Sequence, residues 1–227
     1  MDVRVTGAAA SGTIAAAIDP SSLAMRVTNR GIEHSPGTVV GGQYRIGGQT
    51  GTMAAGIASA AEVFQVRWAD PSKYFILTSL VVQCATLTGF AALSLGAPLE
   101  LMVGHGTTAN GSGGAALAPV STSNKMRSTM ATTAFATSGR IGIATTAALT
   151  AATGQSLEAA SIGECMGAAN GTLVQTSQLF LFDQRDTGDH PLVLNAGDSL
   201  VVRTLNPAAT GTWVACFQME WVEATAY

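Results

Sequence analysis

Charge is what this chain has least of. Asp, Glu, Lys and Arg make up 11% of its 227 residues, against about 25% in ordinary soluble domains. Hydrophobic residues reach 47%, but alanine supplies much of that share. The surface therefore has to be covered by Ala, Gly, Ser and Thr. A free monomer so poor in charge is badly protected against association, whereas a subunit packed among neighbours needs less protection. The 11 basic residues are scattered and the formal net charge is -3. That leaves no electrostatic footprint for nucleic acid, and none is expected as a partner.

Cysteine and histidine are scarce as well. Cys84, Cys165 and Cys216 are widely spaced and form no CxxC pair. This excludes a clustered zinc site and argues against a disulfide framework; assembly in a reducing cytoplasm fits. Cys216 alternates within an apolar strand and is expected to be a small buried hydrophobe. His34, His105 and His190 include no HxH pair. Glu100 and His105 alone do not make a metal site of the cupin kind. Asp183, Asp186 and Asp189 recur at threes in FDQRDTGDHP. Calcium favours such loops, but Arg185 sits among the three, so a solvated turn capped by its own Asp is the expectation. An ion pair from Arg185 across a subunit boundary is the next reading. GxSxG, GxGxxG and phosphate-loop patterns are all missing, as is any interleaving of basic and aromatic residues. Neither an enzyme nor a cofactor is expected.

Long uninterrupted apolar runs are lacking too. MDVRVTGAAASG has no basic stretch leading into an apolar core, so it does not read as a secretory signal. Residues 74–98 are mostly apolar, but Gln83, Gly89, Gly96 and several hydroxyl residues interrupt them. A β-branched and aromatic start at 74–83 suits a strand better than a spanning helix, and no membrane is expected.

What the chain does have is a two-residue rhythm. AEVFQVRW (61–68) sets Phe64, Val66 and Trp68 on one face and Val63, Gln65 and Arg67 on the other, as in a half-buried strand. Further strands are expected at 74–83, 98–103, 178–182, 192–194 and 199–205. The last, 213–223, turns Trp213, Ala215, Phe217, Met219 and Trp221 to one side. Asp70-Pro71, the glycine-rich stretch 104–114 and Asn206-Pro207 read as turns or loops. Residues 115–175 are the least legible: 140–145 suits a short strand and 157–166 one or two helical turns. Trp68, Trp213 and Trp221 each fall on an alternating strand, which points to core packing rather than sugar stacking.

About eight strands with little helix predict an all-β fold, a jelly-roll-like β-sandwich. An immunoglobulin-like sandwich is the competitor, but its Cys…Trp…Cys spacing is absent. Residues 1–42 lack sustained periodicity and read as an extended N-terminal arm, with the sandwich body at 43–227. Within the arm, LAMRVTNR is strand-like. Leu23, Met25, Arg26, Val27 and Arg30 are its candidate interaction residues, anchoring by strand addition or in a neighbour's groove.

The segments GTMAAGIASAAEVFQVRW with the following D-P-S, NKMRSTM, DHPLVLNAGDSLVVR and GTWVACFQMEWVE carry a resemblance. The chain resembles tailed-bacteriophage virion proteins, whose last strand ends in an aromatic-acidic EWxE motif, here Glu220-Trp221-Val222-Glu223. The resemblance spans most of 43–227 and implies a virion role, with assembly in the host cytoplasm. The expected function is a non-enzymatic capsid decoration or cement subunit stabilising the phage head. Its partners would be the major capsid protein, other virion proteins and its own copies, as a trimer. The alternative is a head- or tail-fibre component that binds a receptor or glycan through an aromatic groove among loops 104–135 and 183–191. An enzyme on a sandwich fold is the third class.

Overall fold

The two-residue rhythm folds as strands. The structure is a computed structural model. It describes residues 8–9, 12–13, 17–18, 25–26, 42–54, 57, 60–89, 97–117, 124–126, 130–135, 139–142, 154, 156–166, 178–187, 191–205 and 210–225, and the side chains of all but the four N-terminal pairs, 97–98, 159, 161–166 and 186–187. Two units separate, Met1–Ser35 and Pro36–Tyr227. In the first, β1 (Ala8–Ala9) pairs antiparallel with β2 (Gly12–Thr13), and β3 (Ala17–Ile18) with β4 (Met25–Arg26). The second begins at Pro36, upstream of the boundary expected at 43.

The second unit is all-β, as expected. Its strands are β5 (Gly42–Gln49), β6 (Met53–Ala54), β7 (Glu62–Arg67), β8 (Tyr74–Thr86), β9 (Ala97–His105), β10 (Ala115–Leu117), β11 (Gly139–Ile141), β12 (Ser156–Met166), β13 (Leu179–Asp183), β14 (Leu192–Leu194), β15 (Ser199–Thr204) and β16 (Thr212–Ala224), with a 3-10 turn at Gln184–Thr187. One sheet runs β10-β11-β7-β15-β9-β12. The other runs β13-β8-β16-β5, with β14 beside β8 and β6 beside β16. Every pairing is antiparallel.

Among the eight strands of five or more residues, the pairing is nested. The first pairs with the last (β5 with β16), the second with the seventh (β7 with β15), the third with the sixth (β8 with β13) and the fourth with the fifth (β9 with β12). Two further ladders, β16 with β8 and β15 with β9, join the nested pairs into sheets. Residues 74–86 are the long strand β8, and among the described residues no helix is long and apolar enough to cross a membrane.

Residues 157–166 are not helical. They lie in β12, paired along β9 with irregularities at Ala159/Ser161 and Glu164/Met166. Alanine and glutamate favour a helix locally, but Gly163 weakens one, and a sheet edge supplies tertiary partners that override so weak a propensity. The two irregularities absorb the mismatch in the ladder. β7 also departs from expectation. Phe64 and Val66 face the core, but Val63 and Gln65 on the opposite side are buried too, at 0% and 4% exposure. In the adjoining strands Met102, Val201 and Ser199 are buried beside them.

The core lies between the sheets and is dominated by β16. Trp213, Ala215, Phe217, Met219 and Trp221 are all buried, as the alternation predicts. Trp221 is the centre of an aromatic cluster. Its ring lies 5.5 Å from Tyr44, 5.6 Å from Phe75 and 5.4 Å from Phe135, centre to centre. Phe64 stacks on Phe217 across the sheets at 4.9 Å. The three indole N–H groups all find acceptors: Trp68 donates to the Lys73 carbonyl, Trp213 to the Ala54 carbonyl and Trp221 to Glu223. These tryptophans are core residues, not a sugar platform.

Two cysteine expectations fail. Cys216 is exposed, because its neighbours on that side of β16, Val214, Gln218 and Glu220, form the outer face of the sheet. Cys84 is buried and disulfide-bonded, a link that wide spacing in sequence does not reveal.

Replacing Trp221 with Ala removes the hub of the cluster. Denaturant unfolding is expected to show a loss of about 3–5 kcal/mol. Exposed Gln218→Ala, next to Met219 but on the opposite face of β16, is expected to change stability by less than about 0.5 kcal/mol.

Candidate functional surface

The candidate interaction residues fall largely outside what the structure describes. Leu23, Val27 and Arg30 lie outside the described residues, as do His34 and His190. Met25 and Arg26 form β4, whose side chains are not described. In the loops expected to carry an aromatic groove, 104–135 and 183–191, the one aromatic residue is Phe135, and it is buried at 3%.

The polar groups of the body that the sequence left unassigned turn out to bind one another. Glu223 is the penultimate residue of the long strand β16 and is completely buried. Lys73 Nζ donates to its Oε2 at 3.1 Å, and the Ala134 amide donates to both carboxylate oxygens at 3.0 Å. Thr133 Oγ1 and the Trp221 indole donate to its Oε1. The carboxylate thus fastens residues 133–134 and the turn at Lys73 to the last strand. Beside it, burial first and the Glu223 charge second push the Tyr44 phenol well above its ordinary range. That phenol stays protonated and donates to the Ala131 carbonyl at 2.9 Å.

A second constellation crosses the six-stranded sheet. The register sets Arg203 of β15 between Glu62 of β7 and Glu100 of β9. Arg203 Nε donates to Glu100 Oε2 at 2.6 Å, while Gln65 donates to Glu62. Both carboxylates are buried, at 6% and 5%, and burial of charge demands such partners.

At one end of the sandwich, His105 Nδ1 lies 3.0 Å from Asp198 Oδ1. Asp198 Oδ2 also accepts from the Asn195 amide at 2.8 Å, closing its own turn. Arg67 donates to the Thr107 carbonyl and hydroxyl and to Asn110. These bonds tie the start of the glycine-rich 104–114 stretch to the 195–198 turn. Ser156 is the cross-strand partner of His105, yet among the described residues no hydroxyl or thiol bonds the ring. Among those residues, too, no group of three His, Cys, Asp or Glu side chains is placed to hold a metal ion.

Asp183 caps its own turn as expected: its Oδ1 accepts from the Arg185 amide at 2.9 Å. Arg185 also reaches the same carboxylate with its side chain, so this pair lies within the chain rather than across a subunit boundary. Those side-chain hydrogen bonds are the main reason the Asp183 carboxyl sits below the usual range.

The outer face of the β13-β8-β16-β5 sheet is of a different kind. Register places Gln49, Cys216 and Gln83 in one row, Gly47, Gln218, Val81 and Phe180 in the next, and Arg45, Glu220 and Ser79 in the third. Arg45 and Glu220 make the one ion pair among these residues, at 3.7 Å and well solvated. The rest is neutral, and Phe180 is 46% exposed.

No protein-family model matches the chain, and no curated protein and no solved structure is significantly similar to it. Fold and site together define an all-β protein of two antiparallel sheets. Its described polar clusters are internal fastenings, and the outer face of one sheet is nearly neutral.

Glu223→Ala orphans Lys73 and three further donors and is expected to cost about 3–5 kcal/mol of stability in denaturant unfolding. Glu223→Gln keeps an acceptor and the shape, and is expected to cost less. The Asp183 carboxyl is depressed on folding, so its contribution is complete above the unfolded carboxylate pKa and is lost as pH falls through the lower, folded value. Thermal melts in acid should therefore show a shallower fall for Asp183→Asn than for the native chain.

Proposed function

We propose that this chain is a non-enzymatic structural subunit of a phage virion, a capsid decoration or cement protein with a jelly-roll body. The observation that carries the reading is the nested strand pairing. A single long hairpin, rolled so that its first and last strands lie together, places strands one, eight, three and six in one sheet and two, seven, four and five in the other. The orders β5-β16-β8-β13 and β7-β15-β9-β12 match that plan. Jelly rolls serve in viral capsids, in lectins and in cupins. Of the described aromatics Phe180 alone is exposed and the rest are buried in or packed against the core, which favours neither a stacking lectin site nor an aromatic receptor groove. The buried described carboxylates are engaged in internal bonds, which favours wall-building over metal chemistry.

The low charge and the neutral outer sheet face support burial among other subunits. In this reading the body sits as a trimer on the head surface, beside the major capsid protein. The N-terminal arm, with Leu23, Met25, Arg26, Val27 and Arg30, reaches neighbouring shell subunits by strand addition. Many weak contacts then sum by avidity. No cofactor takes part, and assembly occurs in the host cytoplasm.

Cosedimentation with undecorated heads tests this. The full chain is expected to pellet with the heads. A chain lacking residues 1–35 is expected to remain folded by circular dichroism and stay in the supernatant. Failure of the full chain to bind, or undiminished binding of the truncated one, counts against the reading.

A further inference from the structure

Strand β5 is the edge of its sheet, and its backbone groups alternate in direction. Residues 42, 44, 46 and 48 turn toward β16, and the Thr50 amide continues that series by donating to the Ala215 carbonyl. The odd-numbered residues turn outward. Most of that outward edge is capped within the chain. The Gln43 carbonyl accepts from the Met126 amide, and the Gln43 amide donates to Met130 Sδ. The Arg45 amide donates to the Asn124 carbonyl, and the Arg45 carbonyl accepts from the Asn124 side chain. Beyond the strand, the Gly51 amide donates to the Gly142 carbonyl. Gly47 and Gln49 are the exception. Both are exposed, and their outward amides and carbonyls have no partner among the described residues.

Gly47 adds a second observation. Gly48 beside it is required by packing, since a Cβ there would lie 2.8 Å from Leu117 Cδ1. At Gly47 a Cβ would meet nothing nearer than the Phe217 carbonyl oxygen at 3.6 Å, an ordinary contact. Nothing described within the chain asks for glycine at this exposed strand position. Glycine inside a strand is found at bulges, at tight bends and where a ligand or another backbone approaches closely. The usual devices that blunt an edge, lysine, proline or an inward charge, are absent from residues 46–50.

We propose that Gly47–Gln49 is a self-pairing edge, at which a second copy of this chain adds its own β5 antiparallel about a two-fold axis through Gly48. In that register Gly47 lies opposite Gln49 of the second copy, and Gln49 opposite its Gly47. All of these residues turn their backbone groups toward the axis, so each pair exchanges both hydrogen bonds. The register is self-complementary, as an isologous contact requires. No charge in 46–50 meets its own image. The caps at Arg45 and Gly51 limit the contact to this short stretch and fix its register. The two β13-β8-β16-β5 sheets become one continuous sheet. This contact is independent of the capsid reading and adds a two-fold link to whatever other contacts the subunit makes.

The geometry places the exposed Cys216 thiol one strand in from the axis on each copy, because Cys216 lies opposite Gln49. With three inter-strand steps between them, the two Cys216 positions are about 15 Å apart. Sedimentation of the full chain is expected to give an even-numbered oligomer. Gln49→Pro deletes an outward N–H that the fold itself does not use, and it is expected to halve the mass while leaving the circular dichroism unchanged. Gly47→Lys, which the local space admits, is expected to do the same and decides the matter if the proline variant fails to fold. A bismaleimide of about 15 Å reach is expected to link two native chains and no chains of Cys216→Ser. A native monomer at tens of micromolar, or an unchanged mass in the folded variants, overturns the proposal; the first outcome also covers closure of this edge by residues 118–123 of the same chain or by a strand of another virion protein.

Discussion

The fold closes on one buried carboxylate. Glu223 lies near the end of the strand that pairs with both β5 and β8, and so joins the two ends of the body's chain. Removed from water, a carboxylate is tolerated only with hydrogen-bonding or charged partners, and each partner is therefore held in place. Lys73 comes from the turn before β8, and Thr133 and Ala134 from the connection before β11. The same group raises the cost of ionising Tyr44, so the phenol remains a donor to Ala131. The aromatic stack of Tyr44, Trp221, Phe75 and Phe135 lies directly against this network. Specific polar bonds thus fix the position of a hydrophobic cluster that would otherwise be free to repack.

Nested pairing explains why such a lock sits at the end of the chain. The innermost pair, β9 with β12, still spans the whole connection from 106 to 155, and the outermost, β5 with β16, spans nearly all of the body. Long-range pairing must close its loop before contacts reward it, which makes such topologies slow. β16 has partners on both sides only once β5 and β8 are in place. Concentrating Trp213, Phe217, Met219, Trp221 and Glu223 on that strand puts the largest burial where closure is most costly in entropy.

The parts of this arrangement most legible in the sequence are those with a two-residue period. β7 and β16 carry large apolar residues at alternate positions, and their placement and inner faces follow; β8 is legible as a β-branched and aromatic run, which gives its place but not its inner face. β12 did not show itself, because its Ala, Ser, Gly and Glu carry neither the strand period nor a helical stripe; its conformation comes from β9 alongside. The EWxE ending was visible as a motif but not as two different roles. Glu220 lies on the solvated face against Arg45, while Glu223, three residues on and past an irregularity in the β8 ladder at Glu220/Trp221, is buried. Parity alone puts 221 and 223 on the same face, so the burial of an acid there could be suspected, but its donors are remote in sequence and could not. Cys216 shows the converse: its residue type suggests burial, but its parity sets it beside Gln218 and Glu220 on the exposed face.

The scarcity of charge has a structural counterpart. Lys73, Arg203, Arg185, Glu100, Glu223 and Asp183 are engaged in pairs inside the chain, several of them deeply buried. Few charged groups are then left to repel other molecules from the outer sheet face, where Arg45 and Glu220 neutralise each other. A β-protein with neutral faces must control its edges by other means, since unpaired strands template association. Here the control is backbone capping: residues 124–126 lie along the first half of β5, and Gly142 takes the amide just beyond its end. Capping of this kind is selective in a way that surface charge is not. It leaves a window of defined length and register instead of a general repulsion, and a protein that has to associate in one geometry among many neighbours gains specificity from such a window.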